Sequence, residues 1–159
     1  MSEDDEEEIV LPMKAEDIMV EDVVKLDEET SVKKAAEIMV EEGITAIIIT
    51  KKKKIVGIVT ERDILKRVVV REKNVAETKM KDIMSNPLIT IEPNTKLEEA
   101  ARLMFEKRIK NLPVMKNNRL IGLVSLQDIC KFQPKLLRVL KGLMETPENL
   151  DRTLKCYII

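Results

Sequence analysis

The chain has no histidine and no tryptophan, and its aromatic residues stop at Phe105, Phe132 and Tyr157. Without histidine, a zinc site and a His-based catalytic triad are excluded, and general acid–base chemistry has few side chains to draw on. Cysteine is scarce too. Cys130 and Cys156 form no CxxC pattern, which suits a reducing compartment rather than a disulfide framework. No apolar run approaches the roughly 20 residues a membrane helix needs. Charge of one sign is also lacking. The 28 basic and 29 acidic residues leave a net charge of −1, so nothing draws the whole chain toward nucleic acid or anionic lipid. The start, "MSEDDEEEIV", is acidic and therefore neither a signal nor a transit peptide. These absences predict a soluble, cytoplasmic protein in a reducing compartment.

What is present is a repeat. Shifted by 65 residues, the sequence falls on itself without a gap from Asp17–Lys66 to Asp82–Lys131. Asp17-Ile18-Met19 lands on Asp82-Ile83-Met84, Ala35-Ala36 on Ala100-Ala101, and Gly57 on Gly122. The organisation predicted is an acidic, disordered N-terminus (1–11), a first unit (12–70), a linker (71–77), a second unit (78–132) and a C-terminal helix with a tail (133–159).

Each unit reads as β-α-β-β-α, an α+β fold class. A helical turn carries "DIM", and a short extended piece follows, "VVKL" or "LITI". Thr30 and Thr95 are expected to start the next helix. In the first copy Val32, Ala35, Ala36 and Met39 give it one apolar face, and Gly43 ends it. Two strands then meet at a tight turn, "TAIIIT" with "KIVGIVT" and "NLPVM" with "RLIGLVS". Asn117-Asn118 tolerates the positive φ that a two-residue hairpin demands. The unbroken apolar runs predict strands covered on both faces. Pro134 suits the first turn of a last helix, with Leu136, Leu137, Leu140, Leu143 and Met144 as its stripe.

The segment with chemical content is "GIVTERD", Gly57–Asp63, repeated as "GLVSLQD", Gly122–Asp128. Thr-x-x-Asp at a strand-to-helix junction is a capping-box pattern. The same place offers helix N–H groups to an anion, a hydroxyl to a phosphate, and a carboxylate to the two hydroxyls of a ribose. Cap and site are both open readings of these residues.

Each unit resembles a CBS domain, the module named after cystathionine beta-synthase, in its "DIM" opening, its element order and its Gly-h-x-Ser/Thr-x-x-Asp segment. The likeness spans about residues 12–132. It implies two units packed sheet to sheet about a pseudo-twofold axis, with two clefts for adenosine compounds. AMP, ADP or ATP is the first expectation, with S-adenosylmethionine or an NAD-type dinucleotide as further options and no obligatory cofactor. By this resemblance Thr60, Arg62 and Asp63 form the ribose–phosphate end of one cleft, with adenine against Pro87, Leu88, Ile89 and Ile109. Ser125, Gln127 and Asp128 serve the other, with adenine near Asp22, Val23, Val24, Ile44 and Ala46. Lys110 and Asn111, and their partners Thr45 and Ala46, match positions that lie close to phosphate in nucleotide-binding members. Arg62 and Lys110 could both reach the Asp63 cleft, whereas Gln127 and Thr45 are neutral, so the first cleft should favour phosphates. Pairs of this kind commonly dimerise, which predicts a homodimer.

Other motifs carry less. The lysine run Lys51–Lys54 sits at a hairpin turn with no aromatic interleaved, so a solvated turn outweighs nucleic-acid contact. Met39 and Met104 read as core, and Met19 and Met84 as either packing or ligand contacts. Cys130 reads as a small apolar residue, and Asp17 and Asp82 as helix-start acids. Two functions compete: a regulatory adenosine-ligand sensor that signals to a partner protein, and an interaction scaffold with vestigial clefts acting through its C-terminal helix. No nucleophile–base pairing points to an enzyme.

Overall fold

The computed structural model describes residues 12–136. The acidic start and the predicted C-terminal stripe beyond Leu136 lie outside the described residues. The order is α1 (Ala15–Ile18), β1 (Lys25–Asp27), α2 (Val32–Glu42), β2 (Ala46–Lys51), β3 (Lys54–Thr60) and α3 (Glu61–Ile64), which continues as a π-helical turn over Leu65–Val69. The second half repeats it as α4 (Met80–Ile83), α5 (Leu97–Lys107), β4 (Asn111–Lys116), β5 (Arg119–Ser125) and α6 (Leu126–Phe132).

The hairpins form where the apolar runs predict. β2 pairs antiparallel with β3, and β4 with β5, each with a register shift at the same place, after Ile49 and after Val114. Ile47, Ile48 and Ile49 are fully buried, and so are Leu112 and Val114, as strands covered on both faces require. Asn117 and Asn118 take φ 50° and 60°, the paired positive values of a type I′ turn. Lys52 and Lys53 take 48° and 64° without the side chain that makes such angles easy.

Two expectations are corrected. The helix N-caps lie one residue later than Thr30 and Thr95. Ser31 caps α2 and accepts from the Lys34 N–H, while Lys96 occupies the position before α5 with no side-chain cap. Thr95 instead turns back, its Oγ1 accepting from the Glu92 N–H at 3.2 Å. The second extended piece, "LITI", forms no strand. Ile91 makes a single bridge to Val114, whereas β1 pairs in parallel with β2 over three residues. Gly43 ends α2 in the left-handed conformation as expected, and Arg108 adopts the same conformation at the end of α5.

The two cores are built by exchange. The first holds Val32, Ala35, Met39, Ile47, Ile49 and Val59, and it also holds Met80 and Ile83 from the start of the second unit. The other holds Leu97, Ala100, Met104, Leu112, Val124 and Ile129, and it takes Ala15 and Ile18 from the start of the first. Main-chain bonds repeat the exchange symmetrically. The Ala15 N–H donates to Thr95 O at 2.8 Å, and the Met80 N–H to Thr30 O at 2.9 Å. Leu97 N–H donates to Met13 O at 3.1 Å, and Val32 N–H to Thr78 O at 2.9 Å. Each pair maps onto the other when both residues move by the repeat, which is the signature of a pseudo-twofold axis.

The repeated glycines admit the exchanged turns. A Cβ on Gly57 would stand 2.7 Å from Met84 Sδ and 3.0 Å from the Ser85 carbonyl oxygen. One on Gly122 would stand 2.5 Å from Met19 Sδ and 2.9 Å from Met19 Cβ. Met19 and Met84 are thus packed against the opposite unit's glycine and are partly buried on its core. Gly57→Ala should lower unfolding free energy by about 1–3 kcal/mol, as overpacking does, and urea titration would show it. Replacing Lys52-Lys53 with Asn-Gly should raise stability by roughly 1 kcal/mol, because two side chains leave a strained conformation. An unchanged urea midpoint would contradict that account of the turn.

Candidate functional site

At the end of β3 the chain closes a reciprocal cap. The Thr60 N–H donates to Asp63 Oδ2 at 2.9 Å, the Thr60 hydroxyl donates to the same oxygen at 3.0 Å, and the Asp63 N–H donates to Thr60 Oγ1 at 3.4 Å. The second copy repeats it, with both hydroxyl contacts shorter and the main-chain donation to the carboxylate longer. Ser125 N–H and hydroxyl donate to Asp128 Oδ2 at 3.2 and 2.6 Å, and the Asp128 N–H donates to Ser125 Oγ at 3.1 Å. The sequence makes this possible because the hydroxyl residue ends a strand in extended backbone and the acid falls three residues on.

The cap leaves part of the carboxylate for other work. It draws on Oδ2 alone, and an ionised carboxylate has two oxygens with about four acceptor directions. In each copy Oδ1 is outside the cap. The helix N–H groups are less available than the sequence suggests. Glu61 N–H donates to Thr45 O at 3.1 Å and Leu126 N–H to Lys110 O at 2.8 Å. The third N–H of each helix is taken by the cap. That leaves, in the first turns, the N–H groups of Arg62 and Gln127, whose side chains are exposed. An anion here would rest on side chains more than on a helix end.

Each unit holds its own part of the predicted set together. Ala46 pairs with Thr60 across β2 and β3, and Thr45 joins them through the Glu61 N–H. Asn111 pairs with Ser125, and Lys110 joins through Leu126. Ile44 and Val24 pack on the first core, and Ile89 and Ile109 on the second. Val23 and Leu88 are half-buried; Asp22 and Pro87 are exposed, and Pro87 follows a cis peptide bond.

The units meet at these same junctions. Ser85 and Ile58 exchange main-chain bonds of 2.9 and 3.3 Å, two residues before the Thr60 cap. Val20 and Leu123 exchange two of 2.9 Å, two residues before the Ser125 cap. Asp22–Val24 and Pro87–Ile89 follow directly on from these bridges. Two grooves lie elsewhere. One of about 820 Å³ runs between α5 and the β4–β5 turn, and one of about 440 Å³ is lined by Lys73, Asn74, Glu77, Thr78 and Asp82. Neither carries a residue of the predicted clefts.

One residue of this region escapes a motif search. Arg67 lies 3.7 Å by its Nε from Asp63 Oδ1, and its Nη1 donates to the carbonyls of Ile83 and Met84 at 2.6 and 3.1 Å. Its spacing of four from Asp63 is the signal that could have found it. Asp17 and Asp82 act as read, as helix-start acids accepting the main-chain N–H of Lys14 and Lys79 at 2.7 and 2.9 Å. Cys130 is partly buried, and burial pushes its thiol up, away from the reactive thiolate. Among the described residues no group of three or more Cys, Asp or Glu side chains is placed to hold a metal, and no helix is long and apolar enough to cross a membrane.

The caps have a measurable structural share. Thr60→Ala and Ser125→Ala should each lower stability by about 1 kcal/mol in the absence of any ligand, read from denaturant midpoints.

The CBS domain family model matches this chain twice, over residues 15–70 and 80–135. The chain is 38% identical over 53 residues to the CBS domain-containing protein YhcV of Bacillus subtilis, covering 33% of this chain and 38% of that one. It is 37% identical over 67 residues to an inosine-5′-monophosphate dehydrogenase of Methanocaldococcus jannaschii, covering 40% of this chain and 14% of the enzyme. Its fold superposes with a TM-score of 0.73 on a hexameric CBS-CP12 protein from bloom-forming cyanobacteria, at 27% identity over 81% of this chain and 76% of that one. The matched stretches span 27–38% of the length of the first curated relatives. With two matched units, each carrying the hydroxyl–aspartate cap, this chain belongs to the CBS domain family as a tandem pair.

Proposed function

We propose that the pair binds adenosine-containing ligands, with AMP, ADP or ATP favoured, and acts as a regulatory module that reports occupancy to a partner protein or through its own dimer. The observation that carries this reading is the doubled cap. A hydroxyl and a carboxylate are held in fixed relation at both junctions where one unit meets the other, and each carboxylate keeps one oxygen outside the cap. A ribose presents two adjacent hydroxyl donors, which an ionised carboxylate accepts well. The partly buried aliphatic side chains nearby, Val23, Val24, Leu88 and Ile89, suit the faces of a base where aromatic residues are absent.

The two clefts are unequal in charge. Arg62 stands in the first copy where Gln127 stands in the second. The Asp63 cleft should therefore prefer phosphorylated ligands, and the Asp128 cleft less charged ones.

Thermal melting with AMP, ADP, ATP, NAD and S-adenosylmethionine tests the reading. Ligand at 100 times its Kd stabilises by about 2.7 kcal/mol. In a chain of this size that amounts to a rise of roughly 5–10 °C in Tm. Asp63→Ala should abolish the response to the phosphorylated ligands, and Asp128→Ala should leave most of it. The absence of a shift with all five at millimolar concentration would favour the scaffold reading, in which the caps are structural only.

A further inference from the structure

Arg67 belongs to neither predicted cleft, yet it joins one of them to the other unit. It projects from the π-helical turn after α3, a wide turn of a kind often found at functional sites. Its Nε faces Asp63 Oδ1 at 3.7 Å. Its Nη1 donates to Ile83 O and Met84 O, the carbonyls at the end of α4, and its Nη2 lies 3.4 Å from Ser85 Oγ. Ser85 is the residue bonded to Ile58 of β3. One planar guanidinium thus bridges the Asp63 carboxylate and the exchanged turn of the second unit, and its fork geometry suits several acceptors at once.

The repeat supplies the contrast. Shifted by 65, Arg67 becomes Phe132, which is half exposed and has no donor to offer the carbonyls of Ile18 and Met19. The Met19–Val20 turn is held by its main-chain bridge and by packing on Gly122, with no side-chain donor of this kind from α6.

We propose that Arg67 is the positioning residue through which occupancy of Asp63 is felt by the second unit, and that the Asp128 cleft lacks this connection. The proposal rests on the reading of Asp63 as a diol-binding carboxylate. Oδ2 is committed to the Thr60 cap, so a diol must approach Oδ1, the oxygen that faces Arg67. Ligand hydroxyls then compete with the guanidinium. Arg67 shifts, and its hold on Ile83, Met84 and Ser85 weakens. The effect of the ligand is its differential affinity for the latched and unlatched arrangements.

Amide hydrogen exchange at Ser85 and Val20 tests this, since their N–H groups make the two equivalent inter-unit bonds. Without ligand, Arg67→Met should speed exchange at Ser85 by roughly tenfold, the loss expected when charge-assisted bonds holding a local structure are removed. Val20 should stay at its wild-type rate. Equal responses at both amides, or none at Ser85, would overturn the latch. In the wild type, saturating AMP should speed Ser85 exchange. In Arg67→Met, saturating AMP should produce no further change, and a persisting AMP effect at Ser85 would overturn the coupling. Arg67→Lys keeps a charge beside Asp63 without the fork, so it should fall between the two and serves where the Met variant folds poorly. If the wild type binds no AMP by calorimetry, the diol reading and the coupling fall together, while the ligand-free comparison still decides whether Arg67 holds the turn.

Discussion

Each unit's opening turn completes the other unit's core. Ala15 and Ile18 are buried among α5, β4 and α6, and Met80 and Ile83 among α2, β2 and β3. Neither core closes on its own residues alone, so the two units are parts of one folded body. The exchange also determines where the two units meet. Leaving α1 and α4, the chain bonds to the opposite unit's last strand at Leu123 and Ile58, just ahead of the two hydroxyl–aspartate caps. Gly57 and Gly122 have a packing reason here: a methyl group at either would run into Met84 or Met19.

The caps then reconcile two uses of the same residues. A capping box needs a hydroxyl and a carboxylate three residues apart at the end of a strand, and the proposed ribose–phosphate site would use the same pair. They conflict only if they need the same atoms. One carboxylate oxygen carries the cap and the other stands outside it. The hydroxyl is more committed, since it both donates to the acid and accepts from its N–H. A phosphate contact at Thr60 or Ser125 would require that hydroxyl to turn. Arg62 carries a charge beside the first cap without such a rearrangement, where the second copy has Gln127.

Duplication sets up this asymmetry by making every substitution visible against a copy. Gly43 and Arg108 end matching helices, and both adopt the left-handed conformation there. β1 forms a strand while its counterpart makes one bridge. Arg67 reaches across the units while Phe132 does not. A pair with identical halves would respond in the same way at both clefts. These differences make the two halves chemically distinct at matching positions.

The residues by themselves determined the repeat, the hairpins and the caps, because each depends on neighbours within a few positions. An apolar run makes a buried strand, Asn-Asn makes the turn, and Ser/Thr-x-x-Asp makes the cap wherever it sits. Helix starts were legible only to within a residue: Ser31 rather than Thr30 caps α2, and Lys96 rather than Thr95 precedes α5. Which core each "DIM" turn enters was not legible. The two turns carry the same pattern, so either would fit either unit, and only the path of the chain between them selects the exchange. Arg67 was hidden for a related reason. Its spacing of four from Asp63 signals only that pairing, and its other acceptors are main-chain carbonyls, which every residue possesses. The tertiary structure alone decided that those carbonyls belong to the other unit.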